Sequence, residues 1–289
     1  MHPAPSVILF TTLSGAGFGL FVFLGLGLPA PAGLAAFLWY GLAYALAAGG
    51  LLASAFHLGH PERALLAFTQ WRSSWLSREA WASVATLLLA APLALSAIFA
   101  RTLPIGPLVS LLALVTVFTT AMIYTQLRAV PRWHDPTTPA HFLSLSLAGG
   151  ALLAGQGAIA APLLLLALAL QLWIWHDGDR RFARAGTTLA TATGIAGPAD
   201  RIRSFAPPHT GPNYLLTEMV HIVGRRRARQ LRLVAVALGF VLPLALLLPQ
   251  HPATSALAAL VHLAGILCSR WLFFAQAEHV VGLWYGKRG

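Results

Sequence analysis

A short polar stretch, His57 to Trp81, concentrates the reactive side chains of an otherwise apolar chain. The segment HLGHPERALLAFTQWRSSWLSREAW contains two histidines, three arginines, two glutamates and three tryptophans. Imidazole and carboxylate groups can accept protons from a hydroxyl group, and tryptophan and arginine suit the level of the lipid head groups. Together these residue types indicate a site for oxidation of a quinol, a reaction that releases two electrons and two protons.

The start of this stretch is predicted to close a helix. Gly59 and Pro61 are helix-ending residues, which places His57 in the last turn of the helix before them. Residues 62–75 then have the pattern of a short amphipathic segment, with its aromatic side chains at the membrane interface. We therefore expect His57 to lie near the head-group level.

The end of the stretch is predicted to open the next helix. Ser77 can cap this helix, and Glu79 then lies near the positive end of the helix dipole. Helix capping, or pairing with Arg78 or Arg63, is a structural role for Glu79 that the sequence leaves open. Proton acceptance is the second role, and the nearby histidine favours it.

The composition is that of an integral membrane protein. Of 289 residues, 57% are hydrophobic and 9% are charged, and the mean hydropathy is +0.72, whereas soluble domains have about 25% charged residues. The net charge of +11 comes from basic residues between apolar runs, with no compact basic domain, so we exclude nucleic-acid binding. We expect the basic loops to set the membrane orientation and to contact anionic lipid.

The cysteine content limits the redox chemistry that the chain can perform alone. Cys268 is its single cysteine, whereas an iron–sulfur cluster takes about four ligands. No CxxCH motif is present for covalent haem attachment. Any redox centre other than a non-covalent haem or a quinone must therefore belong to a partner subunit.

Eight apolar segments are long enough, or nearly so, to cross a bilayer, which takes roughly 20 residues. They are residues 6–28, 33–56, 80–100, 103–127, 139–155, 158–176, 231–249 and 254–275. The predicted fold is therefore all-α, with a single polytopic membrane domain over residues 1–289 built as an eight-transmembrane-helix bundle. Residues 177–230 are predicted to form a long extramembrane loop.

The Lys and Arg residues alternate along the predicted loops. The loops after the second, fourth and sixth helices and the C-terminal tail contain nearly all of them. With eight spans these segments share one side, and the positive-inside rule makes that side cytoplasmic. We expect a multi-pass protein of the bacterial cytoplasmic (inner) membrane with both termini in the cytoplasm.

Three stretches resemble the membrane anchor subunit of bacterial dimethyl sulfoxide reductase and related molybdoenzymes. They are HLGHPERA and SWLSREAW within 57–81, MIYTQLRAVPRWHDPTTP at 122–139 and SRWLFFAQAEHVVG at 269–282. The resemblance implies an anchor that binds and oxidises menaquinol in anaerobic respiration, with no haem, no iron–sulfur cluster and no independent activity. It also implies two partners, an iron–sulfur electron-transfer subunit and the molybdopterin catalytic subunit that it supplies with electrons.

The resemblance further implies which residues bind the quinol. In this family the acidic residue that opens the third helix is tied to quinol binding, and here that residue is Glu79. The histidine of the HLG motif is His57. Position and polarity add five more quinol-binding candidates: Arg63, Arg78, Tyr124, Trp133 and Arg270.

Three other functions stay open on the sequence alone. A purely structural tether would use the same helices without a quinone site. A transporter would need repeat symmetry and polar groups near the bilayer midplane, which the sequence shows as almost bare. A haem b cytochrome would need two histidines at matching depth, for which His57 and His279 are the best pair. Arg270 lies inside an apolar run, so its alternative to quinol binding is to reach the near interface, where Glu278, eight residues on, can form a salt bridge with it.

Overall fold

The helices of the computed structural model occupy most of the residues that it describes, which are 2–56, 60–101, 103–195, 197, 201–203, 205, 206, 209, 211 and 227–285. Within these ranges no strand is present, which confirms the predicted all-α fold. The α-helices are Pro5–Gly25 (α1), Gly33–Ala55 (α2), Trp75–Ile98 (α3), Gly106–Thr125 (α4), Thr137–Leu153 (α5), Gly157–Arg184 (α6), Leu189–Thr193 (α7), Ala228–Leu247 (α8) and Pro252–Ala275 (α9). The same ranges also contain two 3₁₀ helices, Pro61–Phe68 and Val280–Tyr285.

Seven of the helices in the described ranges, all except α5 and α7, are long and apolar enough to cross a membrane. The chain is therefore a multi-pass membrane protein. Helix α5 forms where the fifth span was expected, but its 17 residues extend about 26 Å, less than the roughly 30 Å of a hydrocarbon core. Most of its side chains are buried, because α5 packs between α1 and α6.

Helix α1 lies at the centre of the bundle and packs against α2, α4 and α5. Small residues let these backbones approach closely. A Cβ atom at Gly19 would lie 1.9 Å from the carbonyl oxygen of Ser146 on α5, and one at Gly17 would lie 2.3 Å from the backbone nitrogen of Ala47 on α2. These glycines therefore serve helix packing.

Helix α6 continues to Arg184, whereas the sequence predicted its end at residue 176. The additional turns carry charged residues that pair along the helix. Asp177 accepts hydrogen bonds from Arg181, four residues on, at 2.5 Å and from Arg184 at 2.5 Å. Such pairs stabilise helical turns beyond the apolar segment, so the predicted extramembrane loop begins as helix.

An ion-pair network connects the helix ends on one side of the bundle. Asp179 of α6 accepts two hydrogen bonds from Arg232 of α8, at 2.7 and 2.8 Å, and one from Arg132 in the α4–α5 loop. Arg181 also pairs with Asp135 at 2.9 Å. Burial lowers the pKa of Arg132 below its usual value, and the Asp179 carboxylate opposes that shift.

Candidate functional site

Helix α3 begins at Trp75, and its cap is Ser74 rather than Ser77. The Ser74 side chain accepts a hydrogen bond from the backbone N–H of Ser77 at 3.4 Å. The expectation that Ser77 caps this helix is therefore wrong. Glu79 lies beyond the first turn, so it is not a capping residue either, and its burial needs a different explanation.

Glu79 is buried between α3 and α4 with 4% exposure. The Thr120 hydroxyl of α4 donates to Glu79 Oε1 at 2.5 Å and also lies 2.9 Å from the carbonyl oxygen of Thr116. A hydroxyl group can donate one hydrogen bond while it accepts others. Thr120 can therefore donate to an ionised Glu79, or accept from a protonated Glu79 while donating to Thr116. This pair serves both protonation states without a helix movement.

An apolar cavity of about 640 Å³ opens in front of Glu79, between α2, the 3₁₀ helix Pro61–Phe68 and α3. Its size falls within the roughly 300–1,000 Å³ that is usual for small-molecule sites. Most of its lining is aliphatic, and its polar lining residues are Ser54, His60, Arg63, Glu79 and Ser83. The cavity thus combines apolar walls with an imidazole, a guanidinium and a carboxyl group.

The 3₁₀ helix forms one wall of this cavity and is fixed to α3 by aromatic contacts. The Trp81 indole N–H donates to the carbonyl oxygen of Phe68 at 3.0 Å, and the two rings meet edge to face at 5.4 Å. Leu65 and Trp71 of this region are 79% and 55% exposed. That exposure suits a segment at the boundary between lipid and water.

Tyr124 and Trp133 lie in an aromatic cluster and do not line the cavity. Their rings meet edge to face at 5.4 Å, and the Trp133 ring stacks on Phe273 at 5.2 Å. The Trp133 indole N–H donates to the carbonyl oxygen of Phe273 at 3.0 Å. Tyr124 follows Thr120 by one helical turn and interacts electrostatically with Glu79. These residues therefore belong to the packed interior of the bundle and not to the cavity wall.

Arg270 does not line the cavity either and is buried in the bundle. It is 2% exposed, and its guanidinium lies 3.6 Å from the ring centre of Phe142. The alternative that Arg270 reaches the near interface is therefore wrong. Gln171 and His141, buried nearby and hydrogen-bonded to each other at 3.0 Å, show that the interior is more polar than the sequence indicates.

Arg78 supports the loop before α3 and does not line the cavity. Its guanidinium donates to the carbonyl oxygens of Trp71 at 3.0 Å and Arg72 at 2.7 Å, and it lies 4.2 Å from the ring centre of Trp75. These contacts replace the expected pairing with Glu79. His57 lies outside the residues that the structure describes.

Of the seven predicted site residues, the structure thus brings Glu79 and Arg63 together at the cavity. His60 and Ser83 join them and were not predicted. Both had a signal in the sequence: His60 belongs to the same polar stretch, and Ser83 follows Glu79 by four residues, which places it on the same helical face.

The fold and this cavity are those of a multi-pass helical membrane protein. Its candidate site, at one end of the bundle, is an apolar cavity with polar residues at one side. Residues 1–276 match the DMSO reductase anchor subunit (DmsC) family. The chain is 33% identical to the C subunit of the sulfite dehydrogenase of Allochromatium vinosum, in an alignment that covers 99% of both chains. No solved structure matches. The chain belongs to the DmsC family and is a membrane anchor subunit of a molybdoenzyme complex.

Proposed function

We propose that this anchor exchanges electrons and protons between a quinone and an iron–sulfur partner subunit, with the quinone bound in the cavity at Glu79. One observation carries the proposal: a buried carboxyl group opens on an apolar cavity of about 640 Å³, and its hydrogen-bond partner serves both of its protonation states. A purely structural tether needs neither feature.

In the direction of a dimethyl sulfoxide reductase-type complex, menaquinol is the electron donor. The apolar walls bind the ring and tail, and Arg63 and His60 lie at the polar end of the cavity. Glu79 accepts one hydroxyl proton and the His60 imidazole accepts the other. The two electrons pass to the iron–sulfur subunit and then to the molybdopterin catalytic subunit. The chain, with one cysteine, supplies no cluster ligands of its own.

The similarity to a subunit of a sulfite dehydrogenase favours the opposite direction as a second candidate. A dehydrogenase withdraws electrons from its substrate, so its anchor would reduce a quinone, and Glu79 and His60 would each deliver one of the two protons that the quinone takes up. Both directions use the same site. Assays of the isolated complex distinguish them, since one measures quinol oxidation with dimethyl sulfoxide and the other measures quinone reduction with sulfite.

We further propose eight spans in the bacterial inner membrane with both termini in the cytoplasm. Helix α5 supports this count, because its enclosure by α1 and α6 makes its short length acceptable. The Lys and Arg distribution supports the orientation. The start of α3 and the end of α4 meet through Glu79 and Thr120, so the cavity lies at the basic end of the bundle. The iron–sulfur subunit docks at that end of the bundle. A reporter fused to the C-terminus tests whether that end faces the cytoplasm.

A fluorescence titration tests the proposed site directly. A fluorescent quinol analogue is titrated into membranes that contain the assembled complex and into matched membranes that lack it. We expect saturable quenching with about one analogue per complex. Quenching that stays linear in both membranes, as partition into lipid produces, would support the structural tether instead.

A further inference from the structure

Arg270 belongs to a second polar cluster, separate from the cavity at Glu79. Its guanidinium is buried, and within the described part of the chain its Nε and Nη1 groups have no hydrogen-bond acceptor. The Phe142 ring contacts the face of the guanidinium, which leaves the N–H groups at its edge unsatisfied. Unpaired donors are costly in a lipid-embedded interior, so this group needs acceptors.

Buried acceptors in the same region lack donors. Thr12 Oγ1 of α1 and His141 Nδ1 of α5 have no hydrogen-bond partner among the residues that the structure describes. Thr12 is 3% exposed and His141 is 2% exposed. His141 uses its other ring nitrogen, which lies 3.0 Å from Gln171 Oε1. Unsatisfied donors and acceptors thus occur together near Arg270.

A π-helical turn in α8, Ala237–Val241, orients a further acceptor. Its Gly239 carbonyl oxygen accepts a hydrogen bond from His262 Nδ1 of α9 at 2.6 Å. Because Nδ1 carries the proton, Nε2 is the acceptor nitrogen of this ring. A Cβ atom at Gly149 would lie 3.4 Å from Nε2, so Nε2 lies in the wall beside α5. Such π-helical turns occur frequently at functional sites.

Thr12, His262 and Arg270 line one small space of about 10 Å³. That volume is about what a single water molecule needs, provided that it has two to four polar partners. A water here can accept from the Arg270 guanidinium and donate to Thr12 Oγ1 and His262 Nε2. We propose that this space binds an ordered water that bridges α1 to α9 and satisfies Arg270. The site is independent of the quinone proposal.

The direction in which one substitution changes the Tm tests whether this water is bound. Thr12→Val removes the hydroxyl that the water contacts. Thr119→Val is the matched control, because Thr119 is buried outside this space and its hydroxyl donates to carbonyl oxygens of its own helix at 2.9 Å. With a bound water, Thr12→Val lowers the Tm of the assembled complex by about 2–4 °C relative to the control. Without it, removal of an unsatisfied buried hydroxyl raises the Tm.

A density map of the assembled complex that resolves other buried waters provides the second readout. We expect a peak within about 3.2 Å of both Arg270 and His262, at hydrogen-bonding distance, and its loss in Thr12→Val. A map with direct protein partners on Arg270 and no such peak would overturn the proposal, as would a Tm that rises in Thr12→Val.

Discussion

Replacement of Glu79 by glutamine removes the proposed proton acceptor while preserving the shape of the side chain. The carboxamide can still hydrogen-bond to the Thr120 hydroxyl, which lies 2.5 Å from Glu79 Oε1 in the native protein. It cannot accept a proton. We therefore expect the Glu79→Gln complex to assemble normally and to keep its Tm, because the buried volume and the contact with α4 are retained.

The expected loss of quinol-dependent turnover follows from the chemistry of the site. A positioned acid or base contributes about 10²–10⁴-fold to a rate, and Glu79 is the carboxyl group that lines the cavity within the described residues. Thr120→Val should lower quinol-dependent turnover by less, roughly ten- to a hundredfold, because it removes one hydrogen bond to a charged group. Thr119→Val is its matched control, since the Thr119 hydroxyl donates only to carbonyl oxygens of its own helix at 2.9 Å.

The assay compares two electron donors in the same preparation. A quinol analogue must use the anchor, whereas an artificial donor reduces the catalytic subunit directly. We expect Glu79→Gln to lose the first activity and keep the second. Native quinol turnover in Glu79→Gln would refute the assignment of proton acceptance to this residue.

Three more substitutions test the site and the bundle. Ala80→Leu fills the cavity and should raise the KM for quinol by about tenfold, while activity with the artificial donor stays constant. Ala85→Leu on the same helix is the control and should change neither the KM nor that activity. An unchanged KM in Ala80→Leu would show that the quinol does not bind in this cavity. Gly19→Ala places a Cβ 1.9 Å from a carbonyl oxygen of α5 and should destabilise the complex by about 1–3 kcal/mol or more in thermal unfolding, while Gly15→Ala, with open space around its Cβ, is tolerated. Asp179→Asn weakens a hydrogen-bond acceptor that two arginines share. Because the Asp179 side chain is 45% exposed, the substitution should lower the free energy of unfolding by about 1 kcal/mol. A decrease in Tm that is as large at high salt as at low salt would contradict this.

The fold was largely predictable because apolar length identifies membrane helices. The boundaries depended on interactions that a hydropathy pattern does not include. Helix α6 continues to Arg184 because Asp177 pairs with Arg181 and Arg184, and hydropathy treats all three as loop residues. Helix α5 is short for a membrane span, so its length and composition do not show whether it crosses the bilayer. Its packing against neighbouring helices, which the sequence does not show, makes the short length acceptable.

The candidate site was predictable only for residues that lie close together in one segment of the sequence. Glu79 and Arg63 belong to the same polar stretch, and both line the cavity. Thr120 could not be predicted, because its contact with Glu79 depends on how α3 and α4 pack. The same holds for Arg270, whose side chain was expected to lie at the quinol and instead packs on Phe142 inside the bundle.

The most direct measurement of the proposed quinone site is photoaffinity labelling of the assembled complex with a photoreactive quinone, followed by peptide mapping. We predict adducts on the cavity wall, in residues 51–55 of α2, 60–68 of the 3₁₀ helix and 76–84 of α3, and we predict that excess unlabelled menaquinone suppresses them. Adducts spread over lipid-facing helices without suppression, or suppressible adducts confined to other helices, would contradict a quinone site at Glu79.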